Sequence, residues 1–246
     1  MLVDVHGGGG GSRLYLGAPL TLAVAPGPLE WHAWAASGYV VFVPDYRSTG
    51  DYGPDVIAAR RRDGVFPALV DMTDVVTGVR HMIAQGYVDP TRVAVFGHSA
   101  GGPVAYNAVA SSPSLFAAAV IHEGTPPDAA STSIWSLATY GEDGMGALEV
   151  ELGAPMAKAP ERYAADTMFD AARVDTPTLI LMGGGPPGGM DHWPWEVVFA
   201  ILRDRGTPAR MLVFPEEGHV YASPDSARLA FEEMRAWLEA HMPDGR

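Results

Sequence analysis

Arg92-Val93-Ala94-Val95-Phe96-Gly97-His98-Ser99-Ala100-Gly101-Gly102 is the stretch on which the fold turns. Its first five residues read as a core strand, and a helical pattern of apolar residues begins just past Ala100. A serine sits on the turn between them, with glycines at 97 and 101. So sharp a strand–turn–helix junction strains the serine backbone, and small neighbours let strand and helix approach each other. The turn pushes the hydroxyl out of the sheet, within reach of a base, and the helix N-terminus brings N–H groups and positive dipole beside it. Ser99 is therefore the expected nucleophile. An ordinary glycine-rich turn is the bland alternative, and the strand–turn–helix context weighs against it.

Working outward, short β-branched runs alternate with longer helical stretches, as in a parallel sheet flanked by helices. Strands are expected at 2–5, 39–43, 92–96, 117–121, 178–182 and 210–214, each a nearly continuous apolar run suited to a sheet covered on both faces. Helices are expected at roughly 28–37, 67–85, 100–111, 194–205 and 224–241. The last opens with Ser223-Pro224-Asp225, a cap followed by proline at the first helical position. Residues 123–170, rich in Gly, Pro and small residues, break the rhythm and read as a small cap-like excursion within one domain spanning 1–246. The Gly/Pro tract 183–189 follows a strand and is expected as a loop at the sheet's C-terminal edge, where such sheets build their sites.

Chemistry collects on these loops. His6-Gly7-Gly8-Gly9-Gly10-Gly11 follows the first strand, and its glycines let N–H groups face a developing oxyanion. Gly8 and Ala100 are the expected oxyanion donors, with Gly7 or Gly9 as replacements for Gly8. The general base should come last in the chain, and His219, in Phe214-Pro215-Glu216-Glu217-Gly218-His219, lies just past the final strand. The acid should lie between strand 178–182 and the helix near 194. Asp191 is the only carboxylate between Asp175 and Glu196, with a helix-capping role as its alternative and Glu217 as the fallback. His98, Trp193 and Trp195 are candidate substrate-binding residues, and His122 ends a strand where it could line the pocket. For the two tryptophans, one core and one surface position is an equal reading. Arg60-Arg61-Arg62-Asp63 reads as a solvated loop.

Composition narrows the partners. A net charge of −13 repels nucleic acid and anionic membrane surfaces, so neither is expected. The absence of cysteine excludes disulfides, a thiol nucleophile and Cys-ligated metal. No metal-site spacing and no phosphate-binding motif stands out, so no cofactor is expected. A cytoplasmic setting fits best, with a mature secreted domain as the alternative. An exposed edge beside strand 2–5 would invite pairing into a homo-oligomer.

With these residues in place, the sequence resembles the catalytic domain of the prolyl oligopeptidase (S9) family, within the α/β-hydrolase superfamily, over nearly its whole length. The carriers are His6-Gly7-Gly8, Asp45-Tyr46-Arg47-Ser48-Thr49-Gly50-Asp51-Tyr52-Gly53, and Gly86-Tyr87-Val88-Asp89-Pro90-Thr91-Arg92 leading into Gly97-His98-Ser99. Thr176-Pro177-Thr178-Leu179-Ile180 and Pro215-Glu216-Glu217-Gly218-His219 complete them. The resemblance implies an α/β-hydrolase fold, here a mainly parallel sheet of roughly six strands lacking the first edge strands. It also implies acyl transfer through a Ser-Asp-His triad on short peptides or related small esters and amides, without a cofactor.

Four departures from the family pattern matter, and all but the acid loop bear on the expected substrate. The family has Tyr where this chain has Ala100, and its acid loop reads Gly-Glu-x-Asp-x-x-Val-Pro where this chain ends a Gly/Pro tract in Met190-Asp191-His192-Trp193-Pro194. Family peptidases often carry an Arg that holds a substrate carbonyl, and Asp166 stands in its place. A carboxylate cannot donate to a carbonyl. No stretch of these 246 residues reads as the family's gating propeller, so the sequence is expected to be either a domain of a longer chain or an unusually minimal hydrolase. These differences favour a carboxylesterase, with an S9-type peptidase as the alternative and an inactive binding module as the third reading.

Overall fold

In a computed structural model, residues 1–8, 28–47, 52–61, 65–164, 167–185 and 192–242 are described. Strands β1 (Leu2–Val5), β2 (Val41–Phe42), β3 (Ala94–His98), β4 (Ala118–His122), β5 (Thr178–Gly183) and β6 (Ala209–Phe214) form one sheet. Its order is β2-β1-β3-β4-β5-β6, and all five neighbouring pairs are parallel. The expected six-strand parallel sheet is therefore present. Strand β1 lies between β2 and β3, so it offers no free edge; among the described residues the edges are β2 and β6. The pairing edge expected beside residues 2–5 is corrected accordingly.

Two apolar layers explain the continuous apolar runs. Val95, Ile121, Ile180 and Met182 point into one core, and Phe96, Val120, Leu179 and Leu181 into the other. This alternation follows the two-residue period of a strand. Helices α3 (Pro67–Ala84), α4 (Gly101–Ser111) and α7 (Trp193–Arg205) cover the first face; α1 (Pro28–Ala36) and α8 (Pro224–His241) cover the second. On α8, Ala230, Met234 and Leu238 recur every fourth residue and are buried, and Ser223 accepts a hydrogen bond from the Ser226 N–H at its start.

Two helices depart from the expectation. Helix α2 (Pro54–Arg61) takes in Arg60 and Arg61 in place of the expected loop. The excursion after β4 is largely α5 (Ala129–Leu152), capped by the Asp128 side chain and kinked at Gly141, followed by α6 (Pro160–Tyr163) and a short 3-10 stretch. Glycines and small polar residues hid its helical period. No helix among the described residues is long and apolar enough to cross a membrane.

The strand order reverses at β1 and β3, since β1 runs on to β2 on one side and β3 to β4 on the other. Loops leaving the C-terminal ends of β1 and β3 therefore diverge and open a crevice, the usual binding position in an open α/β sheet. His6-Gly7-Gly8 and Ser99 lie at that crevice.

Candidate active site

Ser99 follows β3 directly and has φ +56°, a left-handed conformation rare outside glycine. Its backbone is held from two sides. The Ser99 N–H donates to the His122 carbonyl (3.1 Å), and the Ser99 carbonyl accepts from Gly102 and Thr125 (3.0 Å each). A Cβ at Gly97 would strike the backbone of Gly101, and one at Gly101 would strike the carbonyls of Val5 and His6. Glycine at 97 and 101 is thus what lets β3, α4 and the end of β1 pack together. Gly7 is likewise pressed against the elbow: a Cβ there would lie 2.5 Å from that of Ser99.

The loop after β1 is fixed by Tyr46, whose hydroxyl donates to the His6 carbonyl and whose ring stacks on the His6 imidazole at 4.9 Å. Next to Tyr46, Arg47 is tied to α3 through its ion pair with Asp74 (2.7 Å). Gly8 has φ +82° with open space around it. The amides of Gly8 and Ala100 have no acceptor among the described residues, and Ala100 stands immediately before α4. Gly9, Gly10 and Gly11 lie outside the described residues.

His219 Nε2 lies 2.9 Å from Ser99 Oγ, across 120 residues of sequence. Burial lowers the imidazole below its ordinary value, which keeps it neutral near pH 7. Its Nδ1 is buried and has no hydrogen-bond partner among the described residues. Asp191 lies outside those residues, as does Asp166. Glu217, the fallback acid, is turned away: its carboxylate accepts from the amides of Ala222 (2.6 Å) and Ser223 (3.2 Å). Burial alone would raise this carboxyl, but hydrogen bonds from Ser226, Ala222 and Ser223 together outweigh it and lower the group. Glu217 is therefore the brace of the histidine loop.

The remaining candidates separate. His98 is buried, and its ring stacks on His219 at 5.0 Å and 27°. His122 ends β4 as expected but is 1% exposed, packed between His98 and Tyr221, so it lines no open pocket. Burial, and then charge on His98 and His219, hold it well below the ordinary histidine value. Trp195 is wholly buried and donates to the Gly124 carbonyl (2.8 Å), which makes it core and not pocket wall. Trp193 is 37% exposed, so the pair divides into one core and one surface residue. No group of three or more His, Asp or Glu side chains among the described residues is arranged to hold a metal ion.

Sequence reasoning missed Glu123 and Tyr221. Glu123 is fully buried at the end of β4 with φ +47°, accepts from the Gly183 N–H, and lies against the Tyr221 hydroxyl. The available signal was a carboxylate directly after an apolar strand, at the edge where the other site residues collect.

The model of the prolyl oligopeptidase family matches residues 28–244. The chain belongs to that family. Among curated relatives, it is 25% identical over 209 residues to the acylamino-acid-releasing enzyme of Arabidopsis thaliana, covering 83% of this chain and 26% of that protein. It is 25% identical over 239 residues to dipeptidyl aminopeptidase BIII of Pseudoxanthomonas mexicana, covering 93% of this chain and 34% of the relative. The solved structure of a Mycobacterium tuberculosis puromycin-hydrolyzing peptidase superposes with a TM-score of 0.78 at 24% identity, covering 98% of this chain and 34% of that one. The chain thus spans about a third or less of the length of these relatives.

Proposed function

We propose that this chain is a serine peptidase acting on short peptides, with Ser99 as nucleophile, His219 as general base and Asp191 as the acid that orients His219. The observation that carries it is the 2.9 Å contact between Ser99 Oγ and His219 Nε2 on a strained elbow. His219 takes the hydroxyl proton as Oγ attacks a substrate carbonyl, and the Gly8 and Ala100 amides receive the oxyanion. The protonated imidazole then gives its proton to the leaving amine, and water releases the acyl group by the reverse sequence. Asp191 is favoured because it follows β5, because Glu217 is committed to two amides, and because His219 Nδ1 still needs an acceptor.

The preference for ester substrates drawn from Ala100 and Asp166 gives way here. Of the proteins it resembles, one is named a dipeptidyl aminopeptidase, one an acylamino-acid-releasing enzyme and one a puromycin-hydrolyzing peptidase, and Asp166 lies outside the described residues. The test is turnover of matched peptidyl p-nitroanilide and p-nitrophenyl ester substrates by wild type and Ser99→Ala. Cleavage of both, abolished by the substitution, is the expected result. Ester cleavage alone would return the assignment to a carboxylesterase.

A further inference from the structure

Three elements meet behind the site at a carboxyl group that the mechanism does not use. Glu123 stands at the end of β4, one residue past His122, whose carbonyl receives the Ser99 N–H. Its own N–H donates to Leu181 of β5 (2.9 Å), and its carboxyl accepts from the N–H of Gly183, the last residue of that strand. Near the carboxyl is Tyr221, two residues past His219 on the loop after β6, whose buried hydroxyl makes no hydrogen bond among the described residues. Tyr221 is buried against Phe214 and His122. Gly183 in turn is in such close contact with the backbone of Glu217 and Gly218 that a Cβ there would lie 2.5 Å from both carbonyls.

We propose that Glu123, paired with Tyr221, is a positioning residue that sets the histidine loop and the start of the acid loop relative to Ser99. This rests on the serine-hydrolase reading above. The left-handed backbone at Glu123 costs energy that an ordinary strand end would avoid, and such strain persists where the surroundings over-determine it. A buried carboxyl is also costly unless its oxygens are occupied. Here the Gly183 N–H occupies Oε1, while Oε2 and the buried Tyr221 hydroxyl make no hydrogen bond among the described residues, so the site is held by one donor and by close packing. Loss of that anchor would let Gly183 and Tyr221 relax independently, and a displacement of about 1 Å at a catalytic group is enough to lower a rate on the order of 10²-fold. Burial pushes the carboxyl up to about 7, against the Gly183 hydrogen bond and the nearby Tyr221 hydroxyl, with the Glu217 charge adding to the rise. Near neutral pH the group is therefore partly protonated.

The experiment compares Glu123→Gln, Glu123→Leu and Tyr221→Phe in steady-state kinetics and in the rate of Ser99 labelling by a fluorophosphonate. Glutamine keeps an acceptor for Gly183 and a polar partner for Tyr221, and should stay within about 3-fold of wild type. Leucine keeps the volume alone and should lower kcat roughly 10- to 100-fold with KM nearly unchanged, slowing labelling in parallel. Tyr221→Phe, the variant least disruptive to folding, should fall between them, and its effect should vanish in the Glu123→Leu background. Unchanged kcat and labelling in both the Glu123→Leu and the Tyr221→Phe variants would overturn the inference. So would a loss on the order of 10⁴-fold in Glu123→Gln, which would make Glu123 the triad acid itself. Failure of wild type to label at Ser99 would instead sink the serine-hydrolase reading.

Discussion

The two halves of the site are held by different physics. The nucleophile half is built from backbone: a turn with φ +56°, amide–carbonyl bonds from β4 and α4, and glycines whose hydrogens are all that fits between strand, helix and the end of β1. The histidine half is built from buried side chains, with Glu217 gripping the amides that follow His219 and Glu123 set against Gly183 and Tyr221. A backbone-built half tolerates almost no change of residue at a few positions and leaves a short local pattern. A half built from side chains depends on partners scattered along the chain and leaves none.

The largest expected effect removes the Ser99 hydroxyl, the proposed nucleophile. Ser99→Ala should lower kcat on the order of 10⁴- to 10⁶-fold, with KM and thermal stability little changed, and should abolish fluorophosphonate labelling. Residual turnover within about 100-fold of wild type would mean that another group carries the chemistry. Gly101→Ala probes the packing of the same half. The added Cβ meets backbone carbonyls of Val5 and His6, which cannot step aside as a flexible side chain could. Destabilisation of more than about 3 kcal/mol in urea melts is expected, since the clash is with fixed backbone, with activity lost along with it. Full activity in this variant would show that the elbow is softer than its contacts indicate.

Glu217→Gln tests the other half. Glutamine offers one carbonyl oxygen where the carboxylate offered two, so one of the amides at Ala222 and Ser223 loses a charge-assisted partner. A loss of roughly 1–3 kcal/mol is expected, with kcat reduced about 10-fold because His219 sits on the loosened loop. The informative comparison is with Gly101→Ala: the glycine variant should fail as a whole, and the Glu217 variant should fold and turn over slowly. Equal loss of folding in both would erase the distinction between the halves.

The same contrast explains what was legible. The strand β3, the elbow and the glycine loop after β1 were readable because steric rules act over neighbouring residues, so spacing alone carried them. His219 was readable from its place after the last strand. The whole of α5 and of α2 was obscured by glycine and by charge runs that suppress an apolar period. Glu123 was out of reach because its meaning depends on Gly183, 60 residues on, and Tyr221 on a third loop. Trp195 shows the limit for a paired signal: two aromatics two apart announced one inward side chain without saying which way inward led.

The smallest effects concern protons, and they oppose each other at two adjacent residues. His122 is held well below its ordinary value, so the folded protein keeps it neutral while the unfolded chain protonates near pH 6.5. Its contribution is present above that pH and is lost as pH falls. Glu123 is raised to about 7 from 4.5, so the folded protein keeps a proton that the unfolded chain has already released. Its contribution is present below pH 4.5 and is lost as pH rises through about 7. Urea melts across roughly pH 5 to 8 should therefore lose stability from His122 on the acid side and from Glu123 on the alkaline side. Glu123→Gln should flatten the alkaline side alone, and His122→Phe the acid side alone. Activity should follow a third group: His219, lowered by burial, puts the acid limb of kcat/KM below pH 6.5. If Glu123→Gln moved that acid limb, the carboxyl would be acting on His219 through charge, and its separation from the proton-transfer steps would fail.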